Sequence, residues 1–262
     1  MRKFIELLTL VSLSAGLAQY SFANEFVHIP GGEFRSVIPE GEGDNLIAVA
    51  DFLMQETPVS NAEFMRFVLH HPQWQRGKAV SLFVDDQYLS TWANPISLGP
   101  EAGLLKPVTQ VSWFAANAYC GWQNARLPSW YEWEYVAAAN ESNADARALP
   151  QWRQEILSWY SQVSGDGIDD VRNSTANYYH IFNIHGLVWE WVDDFSAFLV
   201  TGDNREQGGA DQLQFCGAGA ITMEQKDNYA VLMRVAMLSS LEARYTTRNL
   251  GFRCARKDDI NQ

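Results

Sequence analysis

The chain is 262 residues long, 47% hydrophobic and 13% aromatic, which is enough to bury a core of its own, and a single domain is the expectation. Nineteen basic against 31 acidic side chains give a formal net charge of −12. A field of that sign repels nucleic acid and anionic lipid and argues against a nucleic-acid role.

Met1-Arg2-Lys3, an apolar stretch from Phe4 to about Leu17, and Ser21-Phe22-Ala23 before Asn24 give charge, hydrophobic run and small-residue cleavage site in that order. This predicts a secretory signal peptide over residues 1–23, cleavage after Ala23, and a domain over 24–262 that is periplasmic or secreted. A membrane anchor is the rival reading, but the run carries Glu6 and falls short of the roughly 20 residues that a bilayer span needs. Three cysteines, Cys120, Cys216 and Cys254, in an oxidising compartment allow one disulfide and one residue left over. Spacing alone leaves the pairing open.

Val27 to Phe34 is extended and apolar, interrupted by Pro30-Gly31-Gly32, and predicts a first strand and the corner after it. Ser60-Asn61-Ala62-Glu63 fits a capping box, with Phe64, Phe67 and Val68 at helical spacing behind it. Residues 77–103 show neither helical nor strand period and read as a long irregular excursion of the kind that shapes binding surfaces. Ser112 caps a second helix through Trp113, Ala116, Tyr119, Cys120 and Gln123, which ends before Arg126-Leu127-Pro128. Ser129-Trp130-Tyr131-Glu132 is a second capping box, and Trp130, Trp133, Val136 and Ala137 then share a face that belongs in the core. Residues 140–180 are polar and predict loops broken by short helices, with Trp152 and Trp159 as isolated anchors. Near the C-terminus, Met233 and Met237 stand at i, i+4 in an apolar run, where a core face explains them more simply than a copper-handling pair. Histidines 28, 70, 71, 180 and 185 show no metal-ligand spacing, and no phosphate loop, dinucleotide fingerprint or Gly-x-Ser-x-Gly is present.

Six strings occur in a fixed order. They are Glu56 to Phe64, Pro107 to Trp113, Arg126-Leu127-Pro128, Glu132 to Tyr135, Asn183-Ile184-His185-Gly186-Leu187-Val188-Trp189-Glu190-Trp191, and Asn249-Leu250-Gly251-Phe252-Arg253-Cys254-Ala255-Arg256. Together they resemble the formylglycine-generating enzyme, or sulfatase-modifying factor, family over about Phe26 to Arg256. The resemblance implies an α+β, loop-rich fold, a variant of the C-type lectin-like domain. It also implies a structural disulfide between Cys120 and Cys254, and an oxidase that converts a cysteine of a client protein to formylglycine.

Two site expectations follow from the resemblance. The first is a calcium ion held by Asn183 and Glu190 and by the backbone carbonyls of Gly186 and Val188, oxygen donors of the kind a hard cation takes. The alternative is that Trp189 and Trp191 pack while Glu190 meets a backbone amide. The second is the family's copper site, in which two cysteines after a Gly-Gly-Ser turn bind Cu(I) as thiolates. Here Gly208-Gly209-Ala210 replaces that turn, Cys216 is the single candidate catalytic residue, and Ala230 stands at the second cysteine. Cys216 has two readings, a ligand to Cu(I) with Met223 or to a client thiol, and an inert buried thiol.

A branch of the family that accompanies copper nitrite reductase shares His-Gly-Leu-Val-Trp-Glu-Trp and one cysteine in a Phe-Cys-Gly run, and this chain resembles that branch most. The resemblance thus implies an accessory or maturation factor for another periplasmic, copper-containing enzyme, with an incomplete oxidase site. The alternatives are a true formylglycine-generating oxidase and a lectin-like binding module. The sugar-reading Glu-Pro-Asn and Gln-Pro-Asp tripeptides of calcium-dependent lectins are absent.

Overall fold

In the computed structural model, which describes residues 25–37, 46–161, 167–198 and 229–258, short strands and helices alternate along the chain. Four strands come first, β1 (Phe26–Ile29), β2 (Gly32–Arg35), β3 (Leu46–Val49) and β4 (Phe52–Gln55). Helix α1 (Asn61–His70) precedes a small hairpin of β5 (Trp92–Asn94) and β6 (Ser97–Leu98). Helices α2 (Trp113–Trp122), α3 (Trp130–Ala137) and α4 (Pro150–Ser161) follow. The chain closes with β7 (Trp189–Glu190), α5 (Tyr229–Ser239), β8 (Leu250–Gly251) and β9 (Ala255–Lys257). The fold is therefore α+β with little regular structure, as expected.

The largest sheet joins both ends of the domain. β4 lies between β1 and β9, antiparallel to each, with His28 opposite Leu53 and Leu53 opposite Arg256. β2 pairs with β3, and β7 runs parallel to β8, which brings Glu190 beside Gly251. Glycine is required there, because a Cβ on Gly251 would lie 2.7 Å from the Val108 carbonyl oxygen.

Both capping boxes form. Ser60 accepts from the Glu63 amide while the Glu63 carboxylate accepts from the Ser60 amide, and Ser129 and Glu132 do the same at α3. Glu132 also takes a bidentate pair of hydrogen bonds from Arg126, at 2.6 and 2.7 Å, so one carboxylate caps a helix and fixes the chain that enters it. Asn61 binds the excursion to α1, donating to the carbonyls of Gly103 and Lys106 and accepting from the Trp92 indole at 2.9 Å.

Two expectations are corrected. The 77–103 excursion contains the β5–β6 hairpin, and Asp85 anchors it by accepting from the Thr246 amide and hydroxyl. Within the polar stretch 140–180 lies α4, a full helix of 12 residues. Trp152, Ile156 and Trp159 stand at i, i+4 and i+7, and the first two are buried, so the tryptophans are members of one helical face and not isolated anchors.

The core is aromatic. Phe64 contacts Phe67, Trp92, Tyr119 and Phe252, with ring centroids 5.3–6.3 Å apart. A disulfide joins Cys120 of α2 to Cys254, with Cα atoms 5.6 Å apart and both residues fully buried. No described helix is long and apolar enough to cross a membrane.

Candidate functional site

The segment from Asn183 to Trp191 crosses the centre of the molecule, and its shape follows from two backbone positions. Asn183 has φ of +53° and Gly186 has φ of +91°, so the chain turns twice through the left-handed region, which asparagine tolerates and glycine favours. The Asn183 side chain then ties two neighbouring stretches together, because its oxygen accepts from the Arg172 amide at 2.8 Å and its nitrogen donates to Asn173 at 3.0 Å.

Glu190 is completely buried and faces Arg253, which is equally buried. Nε of Arg253 donates to both carboxylate oxygens at 3.1 and 2.9 Å, and Nη2 donates to Oε1 at 2.8 Å. The remaining guanidinium hydrogens reach the carbonyls of Gln55, Glu56 and Phe182 at 3.0–3.2 Å. Trp133 of α3 adds its indole N–H to Oε2 of Glu190 at 3.0 Å. A buried ion pair offsets its desolvation only when the leftover donors and acceptors are met, and here they are.

A second cation packs against this pair. The Arg234 guanidinium of α5 lies 3.5 Å from the centre of the Trp133 ring and donates through Nη2 to the Glu190 carbonyl. On α5, Met237 packs against the core whereas Met233 is 40% exposed, so the apolar face expected to hold both holds only the first.

His185 stands edge-on to Trp133 and Trp152, with ring centroids 5.7 and 5.8 Å away. Its Nε2 lies 2.8 Å from the Ala137 carbonyl, so that nitrogen carries the proton, and buried Nδ1 has no hydrogen-bond partner. Burial holds the imidazolium form down to a pKa of about 4, with nearby Arg234 acting in the same direction against the Ala137 hydrogen bond. His185 is therefore neutral across the physiological range.

Beside His185 opens a cavity of about 650 Å³ between α4 and the 174–186 segment. Trp152, Trp159, Asn140, Asn177, Asn183 and His185 are among its walls. Aromatic faces with a few amide groups suit a peptide or small polar ligand.

The four residues expected to hold calcium lie on this one segment, but their side-chain oxygens are engaged within the protein. Both oxygens of Glu190 serve Arg253 and Trp133, and that of Asn183 serves the Arg172 amide. An ion could not take the Glu190 carboxylate without displacing Arg253 or Trp133, whereas the Asn183 oxygen keeps a second lone pair beside the Arg172 amide. Gly208-Gly209-Ala210, Cys216 and Met223 lie outside the described residues, as does the side chain of Ala230. The sequence reading missed Arg253 and Arg234 as partners of Glu190; the signal for the first was the arginine inside the closing Gly-Phe-Arg-Cys string.

The sequence matches the sulfatase-modifying factor enzyme 1-like domain over residues 16–258. The chain belongs to that family. Among its relatives, a mouse protein named inactive C-alpha-formylglycine-generating enzyme 2 is 26% identical, over 87% of this chain and 84% of its own length. The formylglycine-generating enzyme of Streptomyces coelicolor is 29% identical, over 89% of this chain and 90% of its own. Among solved structures, PvdO from Pseudomonas aeruginosa superposes with a TM-score of 0.48 at 16% identity, covering 89% of this chain and 94% of PvdO.

Proposed function

We propose that this member of the sulfatase-modifying factor family is an accessory or maturation factor that binds a client polypeptide and does not generate formylglycine by the family's two-thiolate route. The cysteine count carries the reading. The chain has three cysteines, and the Cys120–Cys254 disulfide takes two of them, which leaves Cys216 as the one thiol. Linear Cu(I) coordination by cysteine needs two thiolates, and one thiolate cannot supply it. Ala210 in place of the family's serine removes a second part of that site. The similarity to a mouse protein whose name calls it inactive accords with a scaffold kept after its chemistry is lost.

The leader expected from the sequence at residues 1–23 and the resemblance to the branch that accompanies copper nitrite reductase support a periplasmic setting and a copper enzyme as the client. On this reading the client docks at the face that holds the cavity beside α4, and Cys216 serves at most as a single soft ligand or a partner for a client thiol. The test is co-purification from the periplasm of the source cell with wild-type and Trp159→Ala bait. Recovery of a copper enzyme that falls with Trp159→Ala supports the reading. Recovery of a sulfatase whose client cysteine has become an aldehyde would overturn it in favour of a true oxidase.

A further inference from the structure

The outer face of the β1–β4–β9 sheet carries a group of side chains that plays no part in the reading above. His28 lies on β1, Asp51 in the turn that leads into β4, and Asp258 directly after β9. The sheet register brings them together. Phe52 pairs with Lys257, so Asp51 and Asp258 follow as neighbours one step further along. Side chains alternate between faces with a period of two, which puts Asp51 on the face of Leu53 and Asp258 on that of Arg256. Both share that face with His28, which pairs with Leu53.

The distances have the scale of a coordination shell. His28 Nε2 lies 3.1 Å from Asp258 Oδ2 and 3.5 Å from Asp51 Oδ2, and the three ligand atoms all fall within 4.8 Å of one another. A tetrahedral ion with bonds of roughly 2.0–2.1 Å spaces its ligands about 3.4 Å apart. The two His28 separations are already of that size, and only the carboxylates need to close. The other oxygen of Asp51 accepts from the Gly31 amide at 2.8 Å, which fixes the side chain and leaves Oδ2 turned to His28. The Asp258 side chain is 3% exposed, whereas those of His28 and Asp51 are each 47% exposed, so the group has a covered floor and an open rim.

Two carboxylates on neighbouring strands repel, and both turn an oxygen toward the same imidazole nitrogen. A divalent cation neutralises both carboxylates and takes the imidazole lone pair at once. One imidazole nitrogen and two carboxylate oxygens suit the zinc class of first-row metals, and water completes the shell on the open side.

We propose that His28, Asp51 and Asp258 form a binding site for a divalent transition-metal ion of the zinc class, which clasps the first strand of the domain to its last. The site is separate from Glu190. Its chelate links β1, the β4 turn and the C-terminal end of β9, so its occupancy stabilises the sheet that holds both ends of the domain.

The probe is Co²⁺, titrated into the purified, chelator-treated protein in a Cys216→Ser background without a histidine tag. Visible absorption reads the binding, and Zn²⁺ is then added as competitor. The expected result is one Co²⁺ per chain, displaced by Zn²⁺, with a rise in Tm on Zn²⁺ addition. His28→Ala and Asp51→Asn should each weaken binding at least about tenfold, a loss of ~1.4 kcal/mol. Asn keeps the oxygen that accepts from the Gly31 amide, so the metal-free Tm and far-ultraviolet spectrum of Asp51→Asn should match those of the unsubstituted protein. Failure to bind Co²⁺, or binding that neither substitution weakens, overturns the proposal.

Discussion

Glu190 and Arg253 meet inside the core with no solvent exposure on either side chain, and the guanidinium places every one of its hydrogens on an acceptor. The pair ties four stretches of backbone together, at Gln55–Glu56, Phe182, Glu190 and Arg253. Breaking such a pair from one side leaves a buried charge without its counterion, and the cost is about 3–5 kcal/mol. Arg253→Met and Glu190→Gln should each lower the unfolding free energy, read from urea denaturation, by that amount. Arg253→Lys should do nearly as badly, because an ammonium has three donors and no planar fork. A loss under about 1 kcal/mol in all three variants would show that the pair does not organise the centre.

The disulfide closes a loop of great length, since its cysteines lie 134 residues apart. The chain-entropy account assigns roughly 4–5 kcal/mol to such a link. Replacing Cys120 and Cys254 together by alanine should remove about that much stability, measured by denaturant unfolding under oxidising conditions. Each single variant carries two thiols, Cys216 and the orphaned partner, and can pair them within one chain, whereas the double variant, with Cys216 alone, cannot.

Two buried groups give the stability opposite pH slopes. Burial raises Glu134 to a pKa of about 6, against the hydrogen bonds from Ser36, Val37 and Trp130 that favour its charged form. Its contribution is complete below the unfolded value near 4.5 and is lost as pH rises through about 6, a change of about 2 kcal/mol. His185, lowered to about 4, contributes fully above its unfolded value of 6.5 and loses that contribution as pH falls toward 4, by up to about 3 kcal/mol. Urea midpoints from pH 4.5 to 7.5 should therefore change little in the wild type. They should fall toward acid in Glu134→Gln and rise toward acid in His185→Gln. Curves parallel to the wild type in both variants would refute the assignment.

Calcium provides a further check on the central segment. Since the oxygens of Glu190 are spent on Arg253 and Trp133, the Tm of the chelator-treated protein should be the same with and without millimolar calcium. A rise of several degrees would mean that the Glu190 pair opens to accept the ion.

What could be read from the sequence was what a few neighbouring residues decide. The Ser60/Glu63 and Ser129/Glu132 boxes were legible because their chemistry spans three positions, and the helices start where they should. Helix α4 was hidden by its polar composition, although Trp152, Ile156 and Trp159 carried its period. Met233 is exposed although Met237 one turn on packs against the core, because the i, i+4 spacing fixes a shared side of the helix but not how far along that side the core extends. Glu190 was visible as an oxygen donor, yet its partner comes from 63 residues further along, and the Gly-Phe-Arg-Cys string that holds the arginine does not say which carboxylate it meets. His28 showed no ligand spacing for the same reason, since its companions Asp51 and Asp258 reach it only through the sheet register.

The loss of the two-thiolate chemistry is tested most directly by mass spectrometry of a Cys-x-Pro-x-Arg peptide incubated with the folded protein, Cu(I), a reductant and oxygen, beside a Cys216→Ser control. The account predicts that the peptide cysteine stays unconverted. Conversion to the aldehyde that disappears in the control would contradict it and show that one cysteine suffices.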